Sequence, residues 1–115
     1  MPFPDVQLDR GATLEEAFSQ SLAAFEAAGV YAHKHELAEP LPGVGMVFSC
    51  HEDGKNCMFI VRVDPWDDAS AQEVLALATA LAKAPPFMRT SSYHFISAFP
   101  VPEELTERLA EIASA

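Results

Sequence analysis

The chain has 115 residues, half of them hydrophobic, and a formal net charge of −10 from 17 acidic and 7 basic residues. This length fits a single domain, 1–115, with a core that needs no disulfide or metal to hold it. The charge excludes ordinary nucleic-acid binding and binding to an anionic membrane surface, since both need clustered Lys and Arg. The first residues lack the basic and long apolar runs of a signal peptide, so we expect a cytoplasmic protein.

A helix and a strand are predicted for the first third of the chain. Thr13 and Glu16 have the spacing of a capping box, and an apolar stripe with helical period follows them. The stripe ends before Gly29, which suits the left-handed end of a helix, so we predict a helix over 14–28. Alternating apolar and polar residues then predict a strand over 30–37.

A β-hairpin is the strongest local signal in the chain. An Asp-Gly pair at 53–54 separates two alternating apolar runs, and a type I′ turn needs positive φ at both central positions. Pairing outward from this turn places Phe48 opposite Phe59 and Cys50 opposite Cys57 on a wholly apolar face, where we expect buried thiols. The other face is mixed and carries Val47, Ser49, His51, Asn56, Met58 and Ile60.

The second half of the chain is predicted to contain two helices and a strand. Ser70 and Glu73 form another capping box, and the helix after them ends at the Pro-Pro pair at 85–86. Residues 91–99 alternate as a strand does, and a further apolar stripe predicts a short terminal helix. The element order is therefore α-β-β-β-α-β-α.

This order predicts an α+β fold, a two-layer sandwich in which a mixed four-stranded sheet carries its helices mainly on one face. The fourth strand must run parallel to the edge of the meander that it joins. The second face then exposes an apolar patch of Val47, Met58, Ile60 and Ile96, and proteins seldom leave such a patch unused. A protein partner, or a second copy forming a homodimer, would cover it; the alternative is that the terminal helix does.

Trp66 lies in an acidic segment with Asp67 and Asp68. An exposed tryptophan beside carboxylates suits a Lys or Arg of a partner protein. The alternative interpretation is structural: the carboxylates favour the start of a helix, and Trp66 folds back over the edge of the core.

From these features we expect a non-enzymatic, acidic protein-binding module: a chaperone, inhibitor or immunity-type protein with a protein partner, for which a basic one is the best match. The predicted contact residues are Val47, Met58, Ile60, Trp66, Asp67 and Asp68. The element order and acidity resemble those of small acidic bacterial secretion chaperones, which are α/β dimers that hold partner proteins. The likeness is one of topology and includes no sequence motif.

The alternative hypothesis is a small metal-binding or metal-sensing protein. His33 and His35 are two residues apart on a strand, so both project from one face and can offer imidazole ligands to zinc. His51 is the third candidate ligand. The paired Cys or His motifs that announce strong zinc sites are not in the sequence. Ser92 and His94 also share a strand face, but without a nucleophile elbow we predict no catalytic residue.

Overall fold

A computed structural model describes residues 3–35, 45, 47–52, 55–85 and 89–114 of the chain, with the backbone alone at 35, 50–52 and 55. The elements are α1 (Leu14–Ala27), β1 (Ala32–His35), β2 (Val47–Glu52), β3 (Lys55–Arg62), α2 (Asp68–Ala82), β4 (Thr90–Ser97) and α3 (Glu103–Ser114). The α+β class and the predicted element order are confirmed.

The four strands form one mixed sheet in the order β1-β2-β3-β4. β1, β2 and β3 are antiparallel, and β4 lies parallel to β3 at the edge of the meander. The hairpin register is confirmed, because Phe48 pairs with Phe59 and Cys50 with Cys57. The predicted turn at 53–54 and the predicted pairings of Val44 and Met46 lie outside the described residues.

The start of α1 is confirmed, whereas α2 begins one turn before the predicted position. Thr13 caps α1 by accepting a hydrogen bond from the Glu16 N–H at 3.1 Å. For α2 the N-cap is Asp67: its carboxylate accepts the Ser70 N–H at 2.8 Å, and the Ser70 hydroxyl accepts the Asp67 N–H at 3.0 Å. Ser70 is thus the third helical residue, and the capping box is Asp67 with Ser70 instead of Ser70 with Glu73.

One face of the sheet packs against α1 and the amino-terminal segment. The buried side chains of this core are Ala17, Phe25, Phe48, Cys57, Phe59, Val61 and Ile96. The Phe59 ring meets Phe25 and Phe3 edge-on, with centroid distances of 4.8 Å and 4.9 Å. Cys57 is a buried free thiol, as expected, and the side chain of Cys50 lies outside the described residues. Ile96 belongs to this face because it pairs with Val61, so its predicted place in the patch on the opposite face was wrong.

The opposite face packs against α2 and α3. Its buried cluster consists of Ile60, Val74, Leu75, Ala78, Leu105 and Leu109. The helices therefore lie on both faces, in three layers, and the expected two-layer arrangement with an open face was wrong. The reason is that α1 and the amino-terminal segment already fill the first face, so the apolar stripes of α2 and α3 find their burial on the second. Among the described residues, no helix has the length and apolar character needed to cross a membrane.

Candidate functional site

The six predicted contact residues separate into two groups of three. Val47, Met58 and Ile60 are core residues, with exposed fractions of 3%, 4% and 0%. They cannot contact a partner without unfolding, so their assignment to an open binding face was wrong. The other three residues line a single cleft.

This cleft of about 180 Å³ lies between the first turns of α2 and α3. Leu75 of α2 and Leu105 of α3 belong to one core cluster, so the packing of the two helices holds the walls of the cleft together. The lining residues are Trp66, Asp67, Asp68, Ala71, Gln72, Leu75, Pro102, Glu104, Leu105 and Arg108.

Trp66 is half-buried and held in a fixed orientation. Its indole N–H donates a hydrogen bond to the Ser97 hydroxyl at 3.0 Å, and its ring meets Phe95 edge-on at 5.4 Å. The Arg62 guanidinium lies 5.1 Å from the centroid of the ring. The structural alternative for Trp66 is therefore correct, since the ring folds back over the core. The same ring also contributes to the wall of the cleft.

Arg62 is a feature that sequence analysis missed. Its side chain is 5% exposed, and one terminal nitrogen donates to the Pro65 carbonyl at 2.9 Å. Its Nε has no hydrogen-bond partner among the described residues. A cation over an indole face is attracted by the ring quadrupole, so Arg62 fixes Trp66 from the side of the sheet. The sequence signal was a single Arg ending the apolar strand, four residues before the only Trp.

The charges of the cleft are mainly negative. Among the described residues that line it, Asp67, Asp68 and Glu104 contribute carboxylates and Arg108 is the only basic residue. Hydrogen bonding from the Ser70 backbone N–H, then from the Ser70 side chain, lowers the pKa of Asp67, with a smaller contribution from the charge of Arg62. Asp68 and Glu104 lie in the first turns of their helices, where the helix dipole favours negative charge.

The capping role of Asp67 gives a pH-dependent prediction. We expect Asp67→Ala to lower the urea midpoint of unfolding at neutral pH, because the Ser70 N–H loses its acceptor. The pKa of Asp67 is lowered by folding, so its charge stabilises the fold above the unfolded-state pKa and ceases to do so as pH falls through the lowered value. The difference in urea midpoint between Asp67→Ala and the wild type should therefore shrink as the pH is lowered. A difference that stays constant with pH would contradict this role.

The three predicted zinc ligands lie on two neighbouring strands, and the side chains of His35 and His51 are outside the described residues. His33 pairs with Ser49 and His35 with Val47, while His51 follows Cys50, the partner of Ala32. His51 and His35 are thus four positions apart along the strands, about 13 Å at the usual rise per residue. Within the described side chains, no group of three metal-binding residues occurs. The zinc hypothesis stays a prediction.

His94 lies on the opposite sheet face from His33. It pairs with Phe59, and the two rings stack at 4.8 Å. The Ser92 hydroxyl lies 3.0 Å from His94 Nε2, and the Phe3 ring is 5.2 Å from the imidazole. Because of these ring contacts, Ser92 and His94 belong to the packing on the α1 face of the sheet.

No protein-family model matches the chain, and comparisons with curated proteins and with solved structures find no match. The geometry of the molecule is therefore the basis for proposing a function. Three of the six predicted contact residues, Trp66, Asp67 and Asp68, line the cleft.

Proposed function

We propose that the protein is a non-enzymatic, cytoplasmic protein-binding module that holds a basic segment of a partner protein in the cleft between α2 and α3. The observation that carries the proposal is the convergence of Trp66, Asp67 and Asp68 on one cleft. These three residues were predicted as partner contacts from their chemistry alone, and Glu104 adds a third carboxylate from α3.

The chemistry of the cleft matches a Lys or Arg side chain. An aliphatic stem can lie along Trp66 and Leu105, while the cationic head meets the carboxylates of Asp68 and Glu104. A cation against an indole contributes about 0.5–1 kcal/mol at an exposed site and about 2 kcal/mol when it is desolvated. The net charge of −10 raises the encounter rate with a basic partner, and the apolar contacts supply most of the affinity.

Neutralising the cleft tests the proposal. Affinity capture from a lysate of the source organism at low salt compares the wild type with Asp68→Asn/Glu104→Gln. We expect a stoichiometric basic protein on the wild type that high salt releases, and at least a tenfold loss of that protein on the variant. Arg108→Gln should have the opposite effect and retain the partner to higher salt, because it removes the positive charge of Arg108 from the cleft.

The matched control is Glu15→Gln/Glu26→Gln, which removes the same charge from exposed positions on α1. This control should retain the partner, since α1 lies on the opposite face of the sheet. If both double variants lost the captured partner equally, net charge alone would explain its attraction. That result would overturn the assignment of the cleft.

A further inference from the structure

The amino-terminal segment, residues 3–12, lies over the α1 face of the sheet without forming a helix or strand. Its contacts with the core are made by side chains. The Phe3 ring lies 4.9 Å from the Phe59 ring, and Val6 and Leu8 pack on the same cluster. All three side chains are only partly buried, so the segment covers the core from outside.

Few hydrogen bonds hold this segment in place. Among the described residues, no backbone hydrogen bond joins 3–8 to the rest of the chain. The Gln20 side chain donates to the Gln7 carbonyl at 2.7 Å, in an exposed bond. Elements with few buried contacts and few hydrogen bonds open at a smaller free-energy cost than global unfolding. The segment can therefore open while the sheet stays intact.

The hinge of the segment is the turn at 9–12, in which the Ala12 N–H donates to the Asp9 carbonyl at 3.2 Å. The Arg10 guanidinium in this turn lies 4.6 Å from the centroid of the Phe99 ring. This cation–π contact attaches the hinge to the residues that follow β4.

The residues that follow β4 also hold Trp66, which lines the cleft. The Ser97 hydroxyl accepts the indole N–H at 3.0 Å and donates to the Phe99 carbonyl at 2.7 Å. The Ala98 N–H donates to the carbonyl of Arg62, whose guanidinium lies over the Trp66 ring. The end of β4 is thus one corner that contacts a wall of the cleft on one side and the hinge on the other.

We propose that this corner couples the cleft to the amino-terminal segment, so that a filled cleft keeps the segment closed. A side chain against Trp66 restricts the ring and, through its hydrogen bond, Ser97. The corner then holds Phe99 where Arg10 of the hinge meets it. The segment is the two-state element that such a coupling requires. The identity of the cleft ligand rests on the proposed function, whereas the link from Trp66 to the segment does not.

The test uses the full chain and endoproteinase Asp-N, which cuts the bond before an aspartate. Its target is the bond between Leu8 and Asp9, at the start of the hinge, and cleavage there follows the population in which the segment is open. The ligand is a short peptide of Arg and Lys, which contains no cleavage site. We expect saturating peptide to slow cleavage at this bond about fivefold, as measured by mass spectrometry of the chain.

A comparison without peptide tests the corner itself. Ser97→Ala removes the hydroxyl that Trp66 and Phe99 share, so cleavage before Asp9 should become faster. The matched control is Ser91→Ala, which removes a hydrogen bond to a carbonyl near the other end of β4 and should leave the rate unchanged. If urea unfolding shows that Ser97→Ala is not folded, Phe99→Leu takes its place, because it removes the ring that Arg10 contacts.

The reciprocal measurement is the affinity of the peptide for Arg10→Ala. Linkage requires that a loosened hinge weaken binding, by no more than the same factor of about five. The lost positive charge would by itself favour a basic peptide, so charge cannot explain a weaker complex. Arg10→Lys keeps the cation and should bind as the wild type does. Lys34→Ala removes a similar cation over Phe18 of α1 and should not weaken binding.

The outcomes separate this inference from the proposed function. If the peptide binds but cleavage before Asp9 does not change, the coupling is overturned and the cleft is still a binding site. Equal cleavage of the folded Ser97→Ala and Ser91→Ala variants overturns the coupling with or without peptide. A peptide that fails to bind contradicts the proposed function, and the two serine variants then decide on the coupling alone.

Discussion

Ile60→Glu is expected to abolish folding, because the side chain of Ile60 lies between the sheet and two helices. Ile60 is fully buried and packs in one cluster with Val74 of α2 and Leu109 of α3. Removing a buried Ile side chain to Ala already costs about 2–5 kcal/mol. A buried carboxylate without a partner adds its desolvation penalty to this cost. The free energy of unfolding of a native protein is only about 5–15 kcal/mol in total. Far-UV circular dichroism and urea unfolding measure the outcome.

Ile60→Val is the matched control for this prediction. It removes one methylene and should leave a folded protein that is about 0.5–1.5 kcal/mol less stable. If Ile60→Glu instead folded with wild-type stability, this sheet face would be open to solvent. The packing of α2 and α3 described above would then be wrong.

Phe59→Ala should produce the second largest loss of stability and lower the free energy of unfolding by about 3–5 kcal/mol. The reason is that the Phe59 ring is the centre of the aromatic core on the α1 face. It contacts the rings of Phe3, Phe25, Phe48 and His94 at centroid distances of 4.9, 4.8, 5.8 and 4.8 Å. Alanine cannot fill that volume, so Phe3 of the amino-terminal segment and Phe25 of α1 both lose the ring of Phe59 against which they pack. The shift of the urea midpoint, with its slope, gives the free energy of unfolding.

Tyr31→Ala provides the comparison for the aromatic core. Tyr31 is 69% exposed, so its removal should change stability by no more than about 0.5 kcal/mol. A similar small change for Phe59→Ala would mean that the core can collapse around the missing ring. Such a result would contradict the packing on the α1 face.

Local chemistry explains why the elements and the hairpin could be predicted. The capping residues, the Pro-Pro pair and the Asp-Gly pair act within a few positions of themselves, so spacing alone determines their effect. The element order then requires a parallel fourth strand. The start of α2 was missed by one turn because Ser70 and Glu73 match the usual capping-box residues, whereas the actual N-cap, Asp67, has a serine at the third helical position. The reciprocal hydrogen bonds between Asp67 and Ser70 identify that position.

The covering of the second sheet face could not be predicted in the same way. Polar residues such as Ser49 and Asn56 made that face look mixed, although its centre at Ile60 is wholly buried. Periodicity shows that a helix has an apolar stripe but not which face the stripe covers. That choice depended on how much of the first face α1 and Phe3 already occupied.

The candidate site was half predictable for a related reason. Trp66, Asp67 and Asp68 are neighbours in the chain, so their combined chemistry is visible in the sequence. Glu104 and Arg108 come from α3 and reach the cleft only through the packing of α3 against α2. Three predicted contacts failed because exposure was inferred from alternation in a sheet that is buried on both faces.

The most direct test of the cleft is a titration of isotopically labelled protein with a short peptide rich in Arg and Lys, followed by NMR. The single tryptophan provides one indole N–H signal, from a ring that lines the cleft and donates to Ser97 on the side of the core. We predict that chemical-shift changes concentrate on this signal and on the amides of Asp67 and Asp68, and that high salt or Asp68→Asn/Glu104→Gln removes them. Binding that spreads over α1 and leaves the Trp66 indole unmoved would contradict the assignment of this cleft as the partner site.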